Sequence, residues 1–143
     1  MTEVTRKRPE FRNINAFSDL TTYRMTAAAW VSILHRASGG LMFLLLPLIV
    51  WLFDTSLSSE ISFARFTSAF SIGVGFVPSW LFKLVMLAII WAYLHHLLAG
   101  VRHVYMDATH KVSKTFGKFT AVVTMASSIG LTLVLGAKLF GLY

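Results

Sequence analysis

The chain of 143 residues is 56% hydrophobic and only 13% charged, with a formal net charge of +7 and a mean hydropathy of +0.68. Soluble domains carry about a quarter charged residues, so a water-soluble fold of this length would expose much of its apolar material, and a single integral membrane domain is expected instead. With no cysteine, the chain by itself can hold no disulfide, iron–sulfur cluster or thiolate metal site.

The N-terminal segment 1–26 is polar and basic, with Arg6, Lys7, Arg8, Arg12 and Arg24. It lacks the short apolar core of a secretory signal, so no cleavage is expected, and Glu3, Glu10 and Asp19 set it apart from an organellar transit peptide. A first membrane span is expected over 27–53, where residues 37–53 are uncharged and Pro47 should bend the helix locally. Gly73, Gly75 and Pro78 then break the chain. A second span follows over 80–103, interrupted by Lys83, His95 and His96, and a third over 117–140, ending around Lys138. Each is near the ~20 residues that a helix rising ~1.5 Å per residue needs to cross an apolar core of about 30 Å. Because lipid satisfies no open backbone edge, the expected fold is an all-α membrane protein of three transmembrane helices.

Orientation follows from Lys and Arg. If the N-terminus is inside, the connection 102–118 is inside too, and that side carries Arg6, Lys7, Arg8, Arg12, Arg24, Arg36, Arg102, Lys111, Lys114 and Lys118, ten of the thirteen basic residues. Only Arg65, Lys83 and Lys138 fall outside. The N-terminus is therefore expected to be cytoplasmic, and the membrane a bacterial inner membrane. Trp51 and Trp80 then sit at the outer boundary and Trp30 at the inner one. The same placement argues against nucleic acid as the partner of the positive charge.

Polar groups deep in a span are functional candidates. One set, Ser32, His35 and Arg36, opens the first span; another, His95, His96, Arg102 and His103, closes the second, with Asp107 just beyond. Both sets fall at the cytoplasmic face. His96, Gly100, His103 and Asp107 are 4, 3 and 4 residues apart and share one helical stripe. A neutral imidazole at the depth of His96 suits an axial iron ligand, and Gly100 would let a flat macrocycle approach the backbone. His103 and Arg102, nearer the surface, would meet haem propionates. Ser32 and Arg36 offer a hydroxyl and a fixed positive charge to a quinone carbonyl that gains negative charge. Structural alternatives stand beside each reading: interhelical hydrogen bonding for the histidines, snorkelling for Arg36, topology for Arg102, and packing for Gly39, Gly40 and Gly100. The apolar pattern does not separate His95 from His96, and the Gly100 stripe favours His96. Asp107 either relays protons or, the favoured reading, pairs with a nearby Arg or Lys.

Ser32-Ile33-Leu34-His35-Arg36, followed by Ala37-Ser38-Gly39, resembles the signature that opens the first span of the cytochrome b anchor subunit of succinate dehydrogenase. His96-x-x-x-Gly100-x-Arg102-His103-x-x-x-Asp107 resembles that family's second signature, and the three-span layout extends the likeness over nearly the whole chain. The departures are Ser38, where many relatives have Thr, and an Arg8-Pro9 head that matches only in part. The resemblance implies an electron-transfer subunit of respiratory complex II. His96 would be one axial ligand of a haem b, with the other from a companion hydrophobic anchor subunit. His35 and His103 would lie near the propionates, and Ser32 and Arg36 would belong to a quinone site completed by that companion and the iron–sulfur subunit. Electrons would arrive from succinate through a flavoprotein subunit and leave on ubiquinone, so no residue here would act on succinate. An anchor of a quinol:fumarate reductase and a cofactor-free structural membrane subunit are the alternatives.

Overall fold

A computed structural model describes residue 15, residues 18–22 and residues 24–143. Arg6, Lys7, Arg8 and Arg12, on which the orientation argument partly rests, lie outside the described residues, as do Glu3 and Glu10. Among the described residues the regular structure is helical apart from one small hairpin. In chain order it runs α1 (Asp19–Thr22), α2 (Ala27–Leu44), α3 (Leu46–Leu57), α4 (Glu60–Ser71), β1 (Gly73–Val74), β2 (Val77–Pro78), α5 (Ser79–Thr109) and α6 (Lys114–Leu139).

The start of α2 is set by Thr26, whose hydroxyl oxygen accepts the Ala29 N–H at 3.3 Å and so satisfies one of the four N–H groups a helix leaves unpaired at its N-terminus. Where one locally bent span is expected over 27–53, there are two helices, α2 and α3, meeting at 57°. The break is at Leu45, and Pro47, with no N–H to give to the preceding turn, stands at the first positions of α3. The apolar helix also runs past residue 53, to Leu57. Ser59 and Ser62 then exchange backbone and side-chain hydrogen bonds in a capping box that starts α4. The β1–β2 hairpin is antiparallel, pairing Gly73 with Pro78 and Val74 with Val77. Gly73 is at φ +112°, and a Cβ there would lie 2.2 Å from the Val77 carbonyl oxygen, so only glycine fits.

The helices α5 and α6 are each long and apolar enough to cross a membrane, and the bent α2–α3 pair becomes a third crossing if it is one span. α5 has 31 residues, about 46 Å at ~1.5 Å per residue, so it outruns the hydrocarbon core of about 30 Å. Its last residue precedes His110, in the left-handed region at φ 54°. The helices α2, α5 and α6 pack on one another as a three-helix bundle. α6 presents Ala121, Thr124, Ser128, Thr132 and Gly136 inward, a stripe of small and hydroxyl-bearing residues. In lipid no hydrophobic force drives helices together, so small side chains that let backbones approach are what such an interface requires. A second cluster, Leu52, Ala69 and Phe82, joins α3, α4 and α5 at the other end.

Candidate functional site

Val31, His35 and Ser38 recur every four and three residues on α2 and face α5. On α5, His96, Gly100 and His103 form the matching stripe. The two stripes meet. The His35 and His96 rings stack at 4.0 Å between centroids and 20° between planes, and the His35 and His103 rings lie 5.4 Å apart. Sixty-one residues separate His35 from His96 in the chain, so only the packing of α2 on α5 brings them together.

The protonation pattern of His96 follows from its partners. Its Nδ1 lies 3.0 Å from the His35 carbonyl oxygen, which can only accept, so Nδ1 carries the proton and donates it. Ser38 donates its hydroxyl proton to the same carbonyl at 2.8 Å, while its oxygen sits 3.3 Å from Nδ1. With Nδ1 protonated in a neutral ring, Nε2 holds a free lone pair, the arrangement in which a histidine ligates iron while a backbone carbonyl fixes its orientation. Gly39 makes room for this ring: a Cβ there would lie 2.9 Å from His96 Cε1. His35, His96 and Gly100 line a groove of about 730 Å³ whose remaining wall is mostly apolar, including Leu97, Val101 and Val104. His35 Nε2 is buried without a hydrogen-bond partner among the described residues and lies 3.8 Å from where a Gly100 Cβ would be.

His95 is turned the other way. It is 1% exposed, its Nδ1 lies 3.2 Å from Ser128 Oγ on α6, and its ring stacks on Trp91. The doublet therefore splits, one ring to the groove and one to the bundle core. Arg102 follows His95. Expected beside His103, it is instead buried against α6, donating from Nε to Thr120 Oγ1 at 3.0 Å and from Nη2 to the Gly117 carbonyl at 3.2 Å. The reason is register: successive residues on a helix turn by about 100°, so Arg102 shares a face with His95 and Ala99, both buried, and not with His103.

Ser32 is half-buried and Arg36 exposed on the flank of α2 beside the histidines. Asp107 is exposed, and among the described residues no ion pair joins it to an Arg or Lys. No group of three or more His, Asp or Glu is arranged to hold a metal ion alone among the described residues; an iron already held in a porphyrin needs only one ligand from this chain. Sequence reasoning gave no site role to Ser38, Gly39, Ser128 or Thr120. The hydroxyls on α6 did carry a signal, because Thr120, Thr124, Ser128 and Thr132 recur every four residues in a mostly apolar helix.

The profile of the family described as succinate dehydrogenase/fumarate reductase transmembrane subunit matches residues 6–135. Curated relatives include the succinate dehydrogenase cytochrome b556 subunits of Paracoccus denitrificans, 34% identical over 62% of this chain and 63% of its own, and of Coxiella burnetii, 33% identical over 77% of this chain and 83% of its own. The protein of that name from Rickettsia felis is 25% identical over 93% of this chain and 94% of its own. The chain thus spans somewhat less than two thirds of the Paracoccus relative and most of the other two. Family and apolar helices agree on a multi-pass membrane protein, and the chain belongs to the succinate dehydrogenase/fumarate reductase transmembrane subunit family.

Proposed function

We propose that this chain is the haem b- and quinone-binding anchor of a succinate dehydrogenase, crossing a bacterial inner membrane three times with its N-terminus in the cytoplasm. The observation that carries the reading is the seating of His96, with Nδ1 committed to the His35 carbonyl and the ring on the wall of an open groove. That geometry supports His96 over His95, whose ring lies in the core and cannot be reached from outside the bundle. His35 stacks on it, His103 lies tilted beside His35, and both can donate to propionates. The unpartnered His35 Nε2 is the kind of buried polar atom that an external acceptor would satisfy. Gly100 keeps the groove floor low at its centre. Arg102 is given no part in this role, since it donates to Thr120 and Gly117 on α6.

A bound haem b would supply one-electron storage between the iron–sulfur subunit and the quinone. The work of the chain's own residues is orientation and charge. Ser38 and the His35 carbonyl hold the imidazole of His96, and Arg36 on the neighbouring flank offers a permanent positive charge beside the hydroxyl of Ser32 to ubiquinone. Asp107, exposed one turn beyond His103, is free to pass protons to the quinone. The second axial ligand, the rest of the quinone pocket and the oxidation of succinate would come from the companion anchor, the iron–sulfur and the flavoprotein subunits. The family description spans fumarate reductases too, while the relatives compared are named for succinate dehydrogenase, which favours that direction.

The test is an optical spectrum of the affinity-purified complex. Dithionite reduction should give the bands of a low-spin b-type haem, absent in His96→Ala and retained in His95→Gln. Full haem in an intact His96→Ala complex would sink the assignment.

A further inference from the structure

A second recess, of about 590 Å³, opens between the start of α2, the end of α5 and the start of α6. Four cations line it, Arg24, Arg102, Lys114 and Lys118, and among the described residues no carboxylate pairs with any of them. Arg102 is the telling member. It is only 8% exposed, and its two hydrogen bonds go to a neutral hydroxyl and a neutral carbonyl. A buried charge is tolerated when an opposite charge accompanies it, and the described residues bring none. The N-termini of α2 and α6 open on the same recess through Thr26 and Ser113, adding the positive ends of two helix dipoles. The remaining wall includes Met25, Met106 and Val112, apolar surface that a free inorganic anion would not use.

We propose that this recess binds the phosphate of an anionic phospholipid, with the glycerol and upper acyl chains lying against the methionines and Val112. The site lies on the opposite side of α5 from the histidine groove, as the divergence of Arg102 and His103 requires, and it depends on neither haem nor quinone. The phosphate completes the charge of Arg102. Lys114 and Lys118, one turn apart at the start of α6, close over it.

The assembled complex, stripped with neutral detergent and returned to bilayer discs of phosphatidylcholine with a minor share of phosphatidylglycerol, is read by native mass spectrometry for retained lipid. The unaltered complex should retain phosphatidylglycerol in preference to phosphatidylcholine. Each basic side chain at a membrane surface is worth roughly fivefold in affinity for anionic lipid, so Arg24→Gln/Lys114→Gln/Lys118→Gln should lower that preference at least about tenfold. Arg65→Gln/Lys83→Gln/Lys138→Gln, which removes the same charge elsewhere, should leave it unchanged. Haem content reports assembly. If the pocket triple does not assemble, Lys114→Gln/Lys118→Gln, at two exposed positions, is read instead, with Lys114→Arg/Lys118→Arg expected to keep the preference. No preference in the unaltered complex, or equal loss in pocket and control variants, overturns the proposal. Displacement of the retained lipid by inorganic phosphate alone would make this a free-anion site and overturn the lipid assignment.

Discussion

At the scale of single residues, orientation of His96 comes from atoms with no chemistry of their own. A carbonyl, a hydroxyl and the absence of a methyl group hold the ring. Gly39→Ala would push a carbon to 2.9 Å from His96 Cε1, so the ring must turn away from the His35 carbonyl. Overpacking of this kind costs about 1–3 kcal/mol, and the variant should lose thermal stability and haem together. Gly40→Ala, whose Cβ would meet no other helix within 4 Å among the described residues, should keep both, and equal behaviour of the two in spectrum and melting would refute the packing role of Gly39. Arg36 makes the complementary case. It is exposed, so Arg36→Leu should assemble normally yet lose a charged hydrogen bond of about 1.5–3 kcal/mol, a roughly ten- to hundredfold fall in quinone reduction. Ser32→Ala should fall less, and succinate oxidation with an artificial acceptor should survive in both. Parallel loss of the two activities would point to failed assembly instead. The three neighbouring histidines were legible because their spacing and membrane depth are properties of the sequence. Ser38 and Gly39 were not, because they act through a backbone carbonyl and a van der Waals contact that no side-chain pattern reports. Arg102 was partly legible: its register already separated it from His103, but its length left both directions open until α6 supplied acceptors.

At the scale of elements, the long apolar helices were foreseeable from hydropathy and the break between α2 and α3 was not, in its size. Pro47 announced a bend; the 57° turn also needs α4 to fold back and fill the space between α3 and α5 with Phe66 and Phe70. That contact joins residues whose own pattern is short and mixed. The interface of α5 with α6 rests on small residues, which hydropathy scores poorly. Gly136 is a tight contact, where a Cβ would lie 2.7 Å from Leu87 Cδ1, while Gly130 has open space around it. Gly136→Leu should therefore separate the two helices and destabilise the chain by about 1–3 kcal/mol, read as a lower melting temperature of the assembled complex. Gly130→Leu, six residues earlier on the same helix, should change it little. If both lower the melting temperature alike, the cost comes from bulk in the membrane and not from this contact.

At the scale of the whole molecule, the histidine groove and the basic recess both need the start of α2 and the end of α5 at one membrane face, and an antiparallel pair of crossings delivers that only if the bent α2–α3 pair is a true span. A re-entrant α2–α3 would return the chain to the face it left, placing Ser59 on the same side as Thr22. The absence of cysteine makes this decidable with single introduced thiols in intact cells. Thr22→Cys and Lys111→Cys should resist a membrane-impermeant maleimide until the cells are opened, as the proposed orientation, argued from the excess of basic residues, requires. Ser59→Cys, at an exposed cap between α3 and α4, and Tyr143→Cys, exposed beyond α6, should label from outside. Protection of Ser59→Cys together with Thr22→Cys would reduce the crossings to two and put the Trp51 and Trp80 belt in the wrong leaflet. Labelling of Lys111→Cys from outside would do more damage, since it would carry His103 and Arg102 to the far face and leave the proposed cytoplasmic iron–sulfur partner no short path to the groove.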